Sequence, residues 1–348
     1  MIPVKNIYYM LSYAFQTLKD QGIRDSDVES FDNVQKLCAE ILVRGVNTQI
    51  KRGLNRDYIT NEEILSSIKG KINVSESIKT QSIVRRQLVC SYDDFSTDTK
   101  VNQIIKTTLQ LLLRGDITSA QKKEIRKILV FFENVSSLDV YTIDWKLNYN
   151  RNNQTYQMLI SICQLVIKGM LQTQSDGSVR LMDYVDEQRM SRLYEKFILE
   201  YYRREWKELT ASAIQIPWQL DDGYDEMLPV MQTDITLENG EKTLIIDAKY
   251  YAHTMQTRFD KRTFHSGNLY QIFTYVKNKE AQFDEEQHEV AGMLLYAKTD
   301  EDVVPDNEYL MSGNRISVKT LDLGVDFDQI QKQLDQIATT FFKVERSI

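Results

Sequence analysis

Cysteine chemistry is nearly missing from this sequence. Cys38, Cys90 and Cys163 are odd in number, far apart and contain no Cys-x-x-Cys pair, which excludes a disulfide framework and structural zinc and fits free thiols in a reducing cytoplasm. Histidine is as scarce: His253, His265 and His288 are too scattered to build an imidazole metal site. Proline is absent between Pro3 and Pro217, and then only Pro229 and Pro305 follow. No Gly-x-x-x-x-Gly-Lys-Ser/Thr occurs, so Lys69-Gly70-Lys71 is no phosphate loop and no nucleotide site of the common type is visible. Long apolar runs are lacking too. Pro3, Lys5 and Asn6 interrupt the start, and 7–15 is too short and polar for export or spanning, so a cytoplasmic protein without membrane contact is expected.

What is present is an ordinary globular composition, 42% hydrophobic and 27% charged over 348 residues, enough for two domains. The net charge of −7 sits awkwardly with a nucleic-acid partner. From Lys249 to Lys279, however, the basic residues Lys249, Arg258, Lys261, Arg262, Lys277 and Lys279 face only Asp260. Such a stripe can meet phosphates locally, with Arg258, Lys261, Arg262 and Lys277 as DNA-contact candidates, or it is a solvated face. The acidity of the rest predicts weak DNA binding by this chain alone.

Apolar periodicity predicts helices over 4–19, 32–51, 98–114, 119–134 and 153–171, with strand-like pieces at 56–60, 68–74 and 88–92. Ser119 is the expected N-cap of the fourth helix. The polar stretch 172–178 is the expected boundary, dividing residues 1–175 from 180–348. Beyond it come a helix over 187–209, a strand over 213–220, hairpin strands around Asn239-Gly240, a helix over 267–279 and an apolar strand over 290–296. Two short strands (308–311, 315–321) and a helix over 326–342 close the chain. The expected class is α/β: an α+β amino-terminal domain, then a domain of order α-β-β-β-α-β.

The hairpin carries the chemistry. An Asn239-Gly240 turn sets Glu238 against Glu241 and Asp234 against Ile245, so Asp247 shares a face with Asp234 as its diagonal neighbour, roughly 7–8 Å away at the backbone. Lys249 projects on the same face. Two carboxylates and the Ala248 carbonyl can hold one Mg²⁺, which activates water and offsets phosphate charge while the lysine orients the nucleophile. Asp98-Thr-Lys100, Asp144-Trp-Lys146 and Glu205-Trp-Lys207 share the Asp/Glu-x-Lys spacing. Only Asp247-Ala-Lys249 follows a strongly apolar run, Leu244 to Ile246, with a carboxylate upstream. The plain alternative is a surface salt bridge, but an aspartate ending a buried strand is costly without a partner. Asp234…Asp247-Ala-Lys249 resembles the core of the PD-(D/E)xK nucleases, although Thr233 stands where proline is usual. Glu195 on the preceding helix is either an extra carboxylate or one charge on a solvated face. Gln271 and Tyr275, at Gln-x-x-x-Tyr spacing, resemble the RecB-like branch of that superfamily.

The opening 2–15 (Ile-Pro-Val-Lys-Asn-Ile-Tyr-Tyr-Met-Leu-Ser-Tyr-Ala-Phe), Arg52-Gly-Leu54, Gly70-Lys-Ile72, Asp98…Asn102 and the Asp234…Tyr251 block together resemble the nuclease subunits of McrBC 5-methylcytosine-specific (type IV) restriction systems. That resemblance implies a partner, an AAA+ GTPase ring of the McrB type that recognises modified cytosine. GTP would be bound by the partner and not by this chain. Residues 1–175 would dock to and activate the ring, and 180–348 would cut double-stranded DNA with Mg²⁺; self-association fits the same scheme. The alternatives are a non-cleaving activator of a partner NTPase and a RecB-like repair nuclease.

Overall fold

A computed structural model of the chain describes residues 2–15, 31–149, 156–169, 171–173, 179–181, 187–251, 256–258, 261–283, 288–298, 304–344 and 346. The first helix, α1 (Val4–Ala14), buries Ile7, Tyr8, Met10 and Leu11, as its periodicity predicts, but ends at Ala14 with Phe15 extended. The rest of the expected 4–19 helix lies outside the described residues.

The chain then builds one unit of its own over Gln35–Asp183. It contains α2 (Val34–Arg52), β1 (Asp57–Leu65), β2 (Lys71–Ile72), α3 (Val74–Lys79), β3 (Leu88–Ser96), α4 (Lys100–Leu112), α5 (Ser119–Val130), α6 (Tyr156–Gln164), β4 (Leu171–Thr173) and β5 (Val179–Leu181). Its core is helical, with Leu37, Ile41, Ile104, Ile105, Leu109, Ile125 and Leu159 buried. Thr118, not Ser119, caps α5, in a capping box with Gln121. Asn102 is buried and donates to Asn55 O and Thr97 O, both at 2.8 Å, pinning the chain ahead of α4. β1 and β3 form a nine-residue antiparallel ladder from Asp57↔Ser96 to Leu65↔Leu88. Gly70 lets the β2 segment approach β3, because a Cβ there would lie 2.4 Å from Ser91 O.

The other unit joins Met1–Val34 to Tyr184–Ile348. The amino-terminal helix thus groups with the carboxy-terminal residues, unlike the expected 1–175 division, and 174–178 of the expected boundary lie outside the described residues. The cause is an aromatic face that finds its partners late in the chain. Tyr9 stacks on Phe327 with ring centroids 4.4 Å apart, Tyr13 lies 5.5 Å from Tyr201, and Asn6 Nδ2 donates to Leu323 O and Val325 O at 2.8 Å.

Within this unit follow α7 (Glu187–Glu205), β6 (Thr210–Ser212), β7 (Gln215–Ile216), β8 (Met231–Gln232), β9 (Ile235–Glu238), β10 (Lys242–Lys249), β11 (Gln256–Arg258), β12 (Lys261–Thr263), α8 (Ser266–Glu280), β13 (Glu289–Ala297), β14 (Asn307–Met311), β15 (Asn314–Leu321) and α9 (Phe327–Phe342). The sheet order is β14-β15-β13-β10-β9-β6. β10 and β13 run parallel with α8 between them in sequence, so the α-β-β-β-α-β order holds. Six consecutive residues of β10, Thr243–Ala248, are buried, as central strands covered on both faces require. Gly292 lets α8 sit close to β13: a Cβ there would meet Ile272 Cγ1 and Val276 Cγ2 at 2.8 Å. Of the expected strand over 213–220 only β7 forms; β6 lies just ahead of it, and 217–220 are irregular.

Candidate active site

The hairpin turns one residue later than Asn239-Gly240 suggests. Asn239 N–H donates to Lys242 O at 3.2 Å, and the ladder begins at Glu238↔Thr243. The central pair is therefore Gly240-Glu241, with glycine at the first central position and φ of +91°, where only glycine is comfortable. Asn239 Oδ1 accepts instead from the N–H groups of Glu241 and Lys242, at 3.2 and 2.9 Å. The register consequently runs Leu237↔Leu244 to Ile235↔Ile246. Continued one step, it sets Asp234 opposite Asp247 rather than opposite Ile245. A two-residue shift keeps every side chain on its face, so the pairing survives and tightens.

Asp234 lies just ahead of β9, and its Oδ2 accepts from Ala248 N–H at 3.0 Å. Asp247 is only 2% exposed. Its Oδ1 accepts from Lys249 Nζ at 2.8 Å, while Oδ2 is buried and has no hydrogen-bond partner among the described residues. The Asp234 carboxyl lies near enough for its charge to act on Asp247. Two ionised carboxylates are both acceptors, so a proton or a cation between them is what relieves the repulsion. Burial pushes the Asp247 carboxyl up to about 7; Asp234 adds to the rise and the Lys249 ammonium opposes it. For Lys249, burial alone would lower its basicity, but the Asp247 charge and hydrogen bond outweigh it and the net shift is upward.

Glu195 of α7 joins this group. Its Oε1 accepts from Ser191 Oγ at 3.0 Å, and its carboxyl is held above the usual range, first by burial and then by the Asp234 charge. From α8, Gln271 Oε1 lies 3.4 Å from Lys249 Nζ, and Gln271 Nε2 donates to Tyr275 Oη at 3.0 Å. Tyr275 in turn donates to Gln232 O at 3.1 Å. The structure therefore gathers Asp234, Asp247, Lys249, Glu195, Gln271 and Tyr275 at one end of β10. The competing Asp/Glu-x-Lys triplets are spent elsewhere: Lys100 pairs with Asp144 at 2.8 Å, Asp98 binds Ser136 and Gln103, and Glu205 binds Tyr13.

The basic stripe is less free than its sequence suggests. Lys277 Nζ is held by Asn314 Oδ1 at 2.8 Å and Ser312 O at 3.0 Å, and pairs with Glu280. Lys279 pairs with Glu238 at 3.1 Å. The side chains of Arg258, Lys261 and Arg262 lie outside the described residues.

Among the described residues, no three His, Cys, Asp or Glu side chains form a metal cluster. The fit to Mg²⁺ rests instead on hard oxygen donors, two facing carboxylates with one buried oxygen unpartnered, and Mg²⁺ takes one or two carboxylates while keeping several waters. Sequence reasoning passed over Ser191 and Gln232, and noted Thr233 only as a departure from proline; their contacts at the site follow no spacing rule.

The description "McrBC 5-methylcytosine restriction system component" matches residues 4–297. A curated relative from Escherichia coli K12, the "Type IV methyl-directed restriction enzyme EcoKMcrBC", is 32% identical over 351 residues, covering 99% of each chain. A solved half-complex of Thermococcus gammatolerans McrB AAA+ hexamers with bound McrC contains a chain 15% identical, with TM-score 0.48, covering 95% of this chain and 76% of that one. A second structure, of the Thermococcus gammatolerans McrBC complex, is 16% identical with TM-score 0.41 and covers 58% of each chain.

Proposed function

The chain belongs to the McrBC 5-methylcytosine restriction family, and on that premise we propose that it is a Mg²⁺-dependent DNA endonuclease subunit working with an AAA+ GTPase ring. One observation carries this reading: Asp234 and Asp247 face each other beside Lys249, with Asp247 Oδ2 buried and unpartnered among the described residues. Asp234, Asp247 and the Ala248 carbonyl are the residues to hold the metal, which when bound lowers the pKa of a water and offsets charge on the phosphate. Lys249, anchored between Asp247 and Gln271, would orient the attacking water beside the phosphate. Gln271 fixes the lysine, and Tyr275 fixes Gln271. Glu195 supplies a further carboxylate at the same edge.

GTP binding falls to the partner, because the sequence has no phosphate loop. The docking surface belongs to the 35–183 unit, where Ile68, Val74, Ile78 and Val84 are all more than half exposed around the far end of the β1–β3 hairpin. Between residues 66 and 87 the sequence carries Lys69, Lys71, Lys79, Arg85 and Arg86 against Glu76 alone, while Glu62 and Glu63 of β1 reach Asn73 and Tyr92. An exposed apolar patch rimmed by charge is a protein-contact surface. The test combines the full chain, its neighbouring GTPase, GTP and Mg²⁺ with methylated and unmodified DNA. Cleavage confined to methylated DNA and lost in Asp247→Ala is the expected result. Cleavage by Asp247→Ala at the wild-type rate overturns the site; unimpaired GTPase stimulation with no cleavage by the wild-type chain marks a non-cleaving activator.

A further inference from the structure

The strand leading into Asp234 changes partner and register at one point. β6 pairs with β9 as Ser212↔Thr236, and β7 pairs with β8 as Gln215↔Gln232. Between those pairs, two residues on one side (Ala213, Ile214) oppose three on the other (Thr233, Asp234, Ile235). That is a β-bulge with one extra residue, the device by which strands re-aim a side chain beside a functional site. Here the re-aimed carboxylate is Asp234, which leaves the ladder and accepts from Ala248 N–H.

A bulge needs something to hold it in one arrangement, since its extra residue has no ladder partner. Thr233 provides it. Its N–H donates to Ile214 O at 3.0 Å, and its Oγ1 accepts from Ile214 N–H at 3.0 Å. Both main-chain groups of Ile214 are thus closed by a single residue, with a side-chain oxygen standing in for the main-chain carbonyl that the bulge has moved away. Ile214 O also accepts from Gln232 Nε2 at 3.0 Å, and the single threonine hydroxyl proton is shared between Ile214 O, 3.2 Å away, and Thr236 Oγ1, 3.0 Å away. Thr233 is 2% exposed, so no water competes for these bonds.

We propose that Thr233 is a positioning residue for the metal site, a hydroxyl latch that fixes the bulge and so aims Asp234 at the cation. It replaces, by hydrogen bonding, the stiffness that the proline common at this place in the superfamily supplies through its ring. This rests on the metal-dependent nuclease reading, and its test is built to fail separately from that reading.

Mn²⁺ affinity of the full chain is measured by calorimetry, without DNA, for wild type, Thr233→Ser, Thr233→Val, Thr233→Ala and Asp247→Ala. Removing the hydroxyl is expected to weaken Mn²⁺ binding about 10-fold or more, the range for residues that orient a metal ligand from behind. Thr233→Ser keeps the acceptor and is expected to bind as wild type. In cleavage assays with the partner, Thr233→Val shifts the metal concentration for half-maximal rate by the same factor, and saturating metal restores the rate. Should Thr233→Val not fold, Thr233→Ala carries the comparison, because its smaller side chain admits a water to Ile214 N–H. Wild-type Mn²⁺ affinity in the folded hydroxyl-free variants, with binding lost in Asp247→Ala, overturns the latch. Wild-type Mn²⁺ affinity in Asp247→Ala overturns the metal site itself.

Discussion

Each unit contains an antiparallel strand pair, and the two pairs are opposites. β9 and β10 are buried almost throughout, and their one interior carboxylate, Asp247, is met by Lys249 and Asp234. β1 is exposed along most of its length and β3 at Asp93, Asp94 and Phe95; Tyr58 and Phe95, at 71% and 53% exposure, have rings 5.1 Å apart. Burial makes the first pair exact: a charge there has one tolerated geometry, because an unpaired buried charge is expensive. Exposure makes the second adaptable, since apolar groups in water gain by covering, whatever covers them. On the proposed function, chemistry falls to the first and contact to the second.

The largest effect that would break this comparison is at Asp247. Asp247→Ala is expected to lower cleavage about a thousandfold or more, because a lost ligand removes several kcal/mol of charge stabilisation. GTPase stimulation should stay at the wild-type level. Loss of both activities together, measured on a chain that still melts cooperatively, would show that the two strand pairs are not separate in function.

Next comes Gln271→Ala, which frees Lys249 from one of its two anchors and leaves Tyr275 without its donor. Cleavage should fall roughly 10- to 100-fold, a size usual for residues that orient a catalytic group. The thermal midpoint should hardly move, since Gln271 is only partly buried. Unchanged cleavage would make the pair structural.

The core order α-β-β-β-α-β was legible because β10 and β13 are apolar runs and α8 has clear helical spacing. That Asp234, Asp247 and Lys249 come together was legible because Asp247 ends an apolar run and Asp234 stands on the facing arm of the hairpin. The register was not, because Asn239-Gly240 allows glycine to be the second central residue or the first, and the choice depends on where the Asn239 side chain bonds. The bulge at Thr233 was invisible, since a hydroxyl replacing a carbonyl leaves no pattern. The grouping of α1 was missed for a different reason. Its aromatic stripe announces burial but not the partner, and Phe327 lies more than 300 residues later. A truncation near residue 174 would therefore strip α1 of Phe197, Tyr201 and Phe327 and is no clean cut.

A smaller effect sharpens the contact side. Val84 is 84% exposed and Ile83 48%, so the double change Ile83→Asp, Val84→Asp should leave stability within about 0.5 kcal/mol. Coupling to the GTPase should weaken roughly tenfold or more, as for apolar contacts near an interface centre. The readout is the chain concentration that half-maximally stimulates GTP turnover. No shift would move the docking surface off this hairpin.

The smallest effect uses an asymmetry in composition: Cys38, Cys90 and Cys163 all fall in the 35–183 unit. Burial pushes the Cys38 thiol from its ordinary 9.0 up to about 12, with Cys163 adding to the rise. Burial raises Cys163 likewise to about 12, against hydrogen bonds that pull it down. A raised folded value means that the stability these neutral thiols contribute is fully present below pH 9 and is lost as pH climbs from there towards 12. At pH 9.5 the loss is about 1 kcal/mol per thiol, from ionisation of the unfolded chain alone. The 35–183 unit should therefore soften first in alkali, and thiol-reagent labelling should accelerate between pH 9 and 10 by more than the rising thiolate fraction of a free cysteine explains. Replacing Cys38 and Cys163 by alanine should flatten the pH dependence of its melting, while cleavage chemistry in the other unit keeps its own profile. If labelling at pH 8 is already as fast as for a free thiol, the helical core around Cys38 and Cys163 opens readily, and the unit assigned to contact is softer throughout than its buried residues require.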